Sequence, residues 1–262
     1  MHFPVIIHAF GLTLPIHPVA EAIAYLVGII WYVINRLRAS HYGLTIQKNV
    51  WLLAFMFFGS LVGSRLLAWA QNPDLAISLL ASHFHWMLLR GGQEVVGGLT
   101  GGWLAVEVGK KILRIRGSTG DPMVLPIMLG MMIGRVGCFF TGLADGTCGS
   151  PTNLPWAVNF GDGIPRHPTQ LYDILFLFLL ALVLLGLGRN RIPGVRFRLF
   201  MGAYSGYRFL IDFLKPAHWT CLGLTAIQWL CLPVFGYCAY WLLARLSVPA
   251  KNAAALTLEA AG

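Results

Sequence analysis

The sequence is poor in charge. Only 11% of its 262 residues are charged and 57% are hydrophobic, with a mean hydropathy of +0.69. Soluble domains carry about 25% charged residues, so this chain has too little polar surface to face water all round. That excludes an ordinary soluble enzyme and predicts an integral membrane protein. Acids are the scarcer sign, 10 against 19 basic residues, and the net charge is +9. No motif for reading DNA or RNA accompanies the basic excess, so no nucleic-acid partner is expected. Cysteine is sparse too. The five thiols form no CxxC pair, which predicts no metal site; no cofactor is expected either. They read as isolated small residues rather than as a bridge between Cys148 and Cys221. The first residues, "MHFPVIIHAFGLTLPIHPV", lack a basic start and a small-residue cleavage site after an apolar core, so they do not read as a signal peptide.

What the sequence does have is apolar runs. A helix needs about 20 mostly apolar residues to span a bilayer, and runs of this kind fall at 19–35, 49–70, 95–109, 122–142, 170–188, 197–214 and 224–245. They predict an all-α integral membrane protein of seven transmembrane helices. Residues 1–245 read as a single polytopic domain and residues 246–262 as a cytoplasmic tail. The third run, "VVGGLTGGWLAVEVG", is short and rich in glycine, so it is expected to begin upstream or to pack closely against its neighbours.

Basic residues orient the helices. Arg36, Arg38 and Lys48 follow the first; Lys110, Lys111, Arg114 and Arg116 follow the third. Arg189, Arg191, Arg196 and Arg198 follow the fifth, and Arg245 and Lys251 follow the seventh. With seven spans all four clusters fall on one side, which the positive-inside rule makes cytoplasmic. The N-terminus is then expected on the periplasmic side and the C-terminus in the cytoplasm.

The remaining basic residues are Arg65, Arg90, Arg135, Arg166, Arg208 and Lys215. Arg135, in "MIGRVGCFFTG", sits inside the fourth run with no carboxylate near it in sequence until Asp145. Arg208 sits inside the sixth run and Arg65 inside the second. A charge within a span costs several kcal/mol and reads as functional unless it snorkels or pairs. Several arginines without matching acids point to an anion, and the anion a bilayer supplies is a lipid phosphate. The segment 143–173, "LADGTCGSPTNLPWAVNFGDGIPRHPTQLYD", is a long Gly- and Pro-rich loop on the outer side. It carries Asp145, Arg166, His167, Gln170 and Tyr172, and its apolar "NLPWAVNF" is expected to pack against the bundle or the lipid interface.

These motifs resemble a known family. "GRVGCFFTG", "GSPTNLPWAVNF" and "PRHPTQLYD" are similar to the signature region of the prolipoprotein diacylglyceryl transferases of bacterial inner membranes, and "GSLVGSRLLAW", "VVGGLTGG", "YSGYRFLIDFLKP" and "LGLTAIQWLCLP" resemble other segments in the same order. The resemblance implies transfer of a diacylglyceryl group from phosphatidylglycerol to the thiol of a preprolipoprotein lipobox cysteine, releasing glycerol phosphate. It implies a monomer in the inner membrane whose Arg135 and Arg208 hold the lipid phosphate, with Tyr204 and Asp212 on the Arg208 stripe. Gly137, Gly146, Arg65, His167, Gln170 and Tyr172 would shape the site or support the arginines.

The chain also departs from the family pattern. Val96 stands where a histidine is usual, Glu21 where the first helix commonly has tyrosine, and Cys138 and Thr141 where asparagines are usual. The usual loop acid falls at Leu143, two positions before Asp145. Glu94 and Glu21 are therefore either substitute bases or, as the preferred reading, carboxylates that neutralise an arginine. Two alternatives stay open from the residues: the same donor with a different acceptor, and a non-catalytic protein that binds or moves anionic lipid.

Overall fold

The computed structural model describes residues 3–9, 12–38, 45–74, 77–78, 94–187, 192–216 and 220–246. Among them are seven long α-helices: α1 (Ile16–Arg38), α2 (Ile46–Gln71), α3 (Val95–Ile112), α4 (Val124–Thr141), α5 (Thr169–Gly186), α6 (Val195–Ile211) and α7 (Ala226–Leu246). Each begins and ends within a few residues of an apolar run in the sequence. Two small antiparallel hairpins accompany them, β1 (Ile6–Ala9) with β2 (Leu12–Pro15) and β3 (Val158–Asn159) with β4 (Pro165–Arg166). Five helical segments are long and apolar enough to cross a membrane: 16–34, 46–71, 121–145, 169–186 and 226–245. α3 and α6 fall short of that measure. α3 ends in Glu107, Lys110 and Lys111, and α6 carries Arg196, Arg198 and Arg208 in 17 residues.

The described chain forms two compact units. The first takes residues 1–41, 119–200 and 213–216. In it α1 packs along α4, and α4 packs along α5. Gly137 makes the α1–α4 approach possible, because a Cβ there would stand 2.6 Å from that of Ala20. Asp121 precedes α4 in a 3₁₀ turn and accepts from the Gly194 and Phe197 N–H groups at 2.6 and 2.9 Å. It thus supplies acceptors for the otherwise unpaired donors that open α6. α5 turns Gln170, Asp173, Leu177 and Leu184 inward, while Leu175, Phe178, Leu179, Leu182 and Val183 are exposed. Such an apolar exterior is unfavourable in water and suits a hydrocarbon surround.

The segment between α4 and α5 is anchored rather than loose. Phe160, 2% exposed, meets Phe3 and Phe139 with ring centroids 5.3 and 5.8 Å away, so the expected apolar packing of "NLPWAVNF" is made through its last residue. Asn159 Oδ1 accepts from the N–H groups of Gly161 and Gly163. Ser150 N–H donates to the Leu214 carbonyl at 2.7 Å.

The second unit takes residues 42–118, 201–212 and 217–262. Its α2 and α3 meet backbone to backbone. The first has Gly59 and Gly63 at GxxxG spacing, and the second has Gly97 and Gly101. A Cβ on any of the four would collide with the facing helix, Gly63 against Gly97 O and Gly101 against Gly59 O. The glycine-rich third run thus packs closely, as small residues allow in a membrane. Residues 79–93, from which it was expected to start, lie outside the described residues, as does Arg90. α7 joins this pair through Trp103 and Tyr237, whose rings lie 5.5 Å apart.

Candidate active site

In the first unit, Arg135 is buried halfway along α4. Its Nε lies 2.7 Å from Asp173 Oδ2, with side chains 10% and 1% exposed. The expectation that Arg135 lacks a carboxylate is therefore corrected. Its partner is Asp173, one turn into α5 and far away in sequence. Gln170 and Tyr172 lie in the first turn of α5 and not in the loop proper, because the helix starts at Thr169.

Both bind residues of the preceding segment. Gln170 Nε2 donates to Thr147 Oγ1 at 3.1 Å and points to Cys148 Sγ at 3.4 Å. The Tyr172 hydroxyl accepts from Trp156 Nε1 at 2.7 Å and lies 3.2 Å from His167 Nδ1. None of the three hydrogen-bonds an arginine among the described residues. Their place is to fix the junction of loop and α5, and so the position of Asp173. Gly146 takes a left-handed φ of 67° after the turn 142–145, a conformation most side chains disfavour. Burial raises the Cys148 thiol above its ordinary value, and Gln170 partly offsets this.

A second cluster stands at the start of α1. His17 Nδ1 is 3.5 Å from Asp145 Oδ1, and its Nε2 is 3.4 Å from Glu21 Oε1. Cys138 is within hydrogen-bonding reach of Asp145 and Arg135. Glu21, expected to neutralise an arginine or act as a base, has His17 as an ion-pair partner. At i, i+4 on α1 the two side chains share a face.

In the second unit, Arg208 is 3% exposed and its Nη2 lies 3.6 Å from Asp212 Oδ1. Tyr204, one turn earlier, is 1% exposed. Asp212 Oδ2 accepts from the Thr225 hydroxyl. Thr225 and Gln228 form a reciprocal cap at the head of α7: Gln228 N–H donates to Thr225 Oγ1 at 3.2 Å, and Thr225 N–H donates to Gln228 Oε1 at 2.9 Å. Gln228 Nε2 reaches back to the Phe209 carbonyl at 3.1 Å. This is the capping-box pattern with Gln at its third helical position. It ties the end of α6 to the start of α7 and holds Asp212 beside Arg208. Arg65 lies half-buried on α2, and Glu94 precedes α3 with its N–H donating to the Ser64 carbonyl at 3.4 Å.

Among the described residues, the two buried arginines, Arg135 and Arg208, each lie beside a buried aspartate. An ion pair at this depth contributes little net stability, since desolvating both charges offsets their attraction. Stability alone therefore does not account for two such pairs in a charge-poor chain.

Residues 4–244 match the family described as prolipoprotein diacylglyceryl transferase. The chain belongs to this family. A phosphatidylglycerol--prolipoprotein diacylglyceryl transferase from Nitratidesulfovibrio vulgaris is 34% identical over 215 residues, covering 78% of this chain and 79% of the relative. The protein of the same name from Bordetella avium is 32% identical over 258 residues, 93% of each chain. That from Bordetella parapertussis is 29% identical over 243 residues, 88% of each.

Within a prolipoprotein diacylglyceryl transferase framework, the residues that sequence reasoning missed are Asp173, His17, Thr225 and Gln228. Asp173 left one signal, a lone acid opening an otherwise uncharged apolar run. His17, Cys138 and Asp145 come from three separate elements, so no spacing rule could group them. Val96, on α3, is 2% exposed and has no atom that can take a proton.

Proposed function

We propose that this chain transfers the diacylglyceryl group of phosphatidylglycerol to the thiol of a lipobox cysteine in a preprolipoprotein and releases glycerol phosphate. The observation that carries the reading is the family match over residues 4–244, supported by relatives named for this reaction. The reaction breaks a carbon–oxygen bond at the lipid phosphate, so negative charge gathers on the departing phosphate oxygen. A guanidinium fixed in a low-dielectric site stabilises such charge without reorganising. Arg135 and Arg208 are each assigned as a phosphate anchor, with Asp173 and Asp212 as the residues that orient them. Tyr204 lines the Arg208 face, while Gly137, Gly146, Arg65, His167, Gln170 and Tyr172 shape the surrounding framework. Glu94 and Glu21 remain candidates for proton handling.

The same reading makes the chain a monomer in the bacterial inner membrane. All seven helices span, in one polytopic domain of residues 1–245, with the N-terminus and the α4–α5 segment periplasmic and the tail cytoplasmic. It rests on the four basic clusters that seven spans bring to one side. The test is incubation of the purified protein with labelled phosphatidylglycerol and a lipobox peptide. Thioether-linked peptide together with glycerol phosphate is the expected outcome, lost in Arg135→Ala and in Arg208→Ala. Release of glycerol phosphate without peptide labelling would overturn the acceptor, and retained lipid binding with neither product would overturn the reaction.

A further inference from the structure

Two of the positions at which this chain departs from its family's pattern, Glu21 on α1 and Cys138 on α4, lie together with Asp145, just beyond α4, around His17. The His17 nitrogen, the Cys138 sulfur and an Asp145 oxygen all lie within 4.8 Å of one another. His17 Nδ1 is buried and makes no hydrogen bond, and it points at Asp145 Oδ1, 3.5 Å away. The other oxygen of Asp145 accepts from Thr147 Oγ1. The other nitrogen of His17 faces Glu21 Oε1 at 3.4 Å.

We infer that His17, Cys138 and Asp145 form a binding site for a divalent metal ion of the zinc class, whose open coordination position takes the acceptor thiol as its thiolate. Zinc accepts nitrogen, sulfur and carboxylate oxygen at about 2.0–2.3 Å, which sets tetrahedral donors roughly 3.3–3.8 Å apart. The His17–Asp145 separation already matches, and a small side-chain adjustment brings in Cys138. Three protein ligands with one position open is the arrangement of a catalytic rather than a structural site. The surroundings fit a metal as well. A ligating imidazole usually donates its second N–H to a carboxylate, which Glu21 supplies, and a ligating carboxylate is itself hydrogen-bonded, which Thr147 supplies. A thiolate and a carboxylate balance the ion's two charges. Arg135, the cation that approaches Cys138, is itself matched by Asp173.

The inference rests on the proposed reaction for its chemistry and accounts for the proton acceptor that Val96 cannot be. The acceptor S–H gives its proton to solvent on coordination, because a metal-bound thiol is deprotonated. The sulfur lone pair forms the new bond to the glyceryl carbon, and that carbon's bond to the phosphate oxygen breaks. The electron pair leaves on glycerol phosphate.

The probe is cobalt(II), then zinc, added to the full-length protein in detergent after removal of bound metal. Stoichiometric cobalt binding with a thiolate-to-metal absorption band in the near ultraviolet is expected. His17→Ala and Asp145→Ala should abolish binding, and Glu21→Gln should weaken it by about 10–100-fold. Cys138→Asp keeps a donor, so it should bind cobalt without the thiolate band, a signature that does not depend on activity. Absence of stoichiometric binding, or a band unchanged in Cys138→Asp, would overturn the site. Full peptide labelling by metal-stripped protein would overturn the thiol's coordination. A cobalt band lost in Cys138→Asp, in a protein that labels no peptide when zinc-loaded, would uphold the site and sink the transferase reading instead.

Discussion

Asp173 holds Arg135 through a 2.7 Å contact from its Oδ2 to the guanidinium Nε, and the aspartate is 1% exposed. The pair joins the C-terminal half of α4 to the N-terminal part of α5. Asp173→Asn leaves the arginine charged and buried with its main counter-charge gone, which costs about 3–5 kcal/mol. Thermal unfolding in detergent should show that loss, and Asp173→Glu should recover part of it. An asparagine variant that melts with the wild type would mean that the pair is not what holds Arg135.

Arg135→Lys separates charge from shape. Lysine keeps the positive charge but offers a point donor in place of a planar fork, so it cannot meet both the aspartate and a phosphate in fixed geometry. Transfer of label to a lipobox peptide should fall roughly 10²-fold, the scale of losing one fixed donor to a developing oxyanion. Wild-type rates in this variant would remove Arg135 from the phosphate.

The helices were legible because a long apolar run leaves the backbone one way to satisfy its hydrogen bonds in lipid, and composition alone marks such a run. The arginines were legible as anomalies within those runs. The acid beside Arg208 was legible too, since Asp212 follows it at i, i+4; the partner of Arg135 was not. Asp173 and Arg135 sit on different helices, and pairing across helices has no sequence period to betray it. Glu21 was legible as an acid within an apolar run; its contact with His17, one turn earlier on the same face of α1, was not. The tight α2–α3 contact was readable in outline from "VVGGLTGG", although only the facing glycines of "GSLVG" show which helix fills it.

That contact makes a sharp prediction. At Gly101 an added side chain would meet Gly59 O and the backbone of Gly63, and backbone cannot rotate aside. Gly101→Val should destabilise by more than the usual 1–3 kcal/mol of overpacking, because whole helices must separate. At Gly28 a Cβ meets nothing, so Gly28→Ala serves as the control and should leave the melting temperature unchanged or slightly higher. Equal melting temperatures for the two variants would contradict the interface.

The β3–β4 hairpin carries a pH dependence of known sign. Asp162 accepts from Arg166 Nη2 at 2.7 Å, and this hydrogen bond, with that from the Ile164 N–H, holds its carboxyl below the ordinary 3.8. A carboxyl depressed on folding contributes stability above its unfolded value and loses it as pH falls through the folded one. The β3–β4 hairpin should therefore keep this contact down to pH 3.8 and loosen below it. Removing the donor in Arg166→Met should move the Asp162 titration, followed by its carboxyl carbon resonance, up toward 3.8. An unchanged midpoint would show that Arg166 does not set it.

The Thr225–Gln228 cap connects stability to the second arginine. Thr225 gives its hydroxyl to Asp212 and receives the Gln228 N–H on the same oxygen. Thr225→Val keeps the shape and deletes both interactions. A buried N–H and a buried carboxylate oxygen each lose a partner, at about 1–3 kcal/mol per unsatisfied group. Asp212 then has less to fix it beside Arg208, so the transfer rate should fall further than lost stability explains, even when assayed well below the melting temperature. Thr225→Ser retains the oxygen and should restore both properties. If valine lowers the melting temperature but leaves the rate of the folded protein intact, Asp212 needs no help from Thr225, and the cap belongs to folding alone.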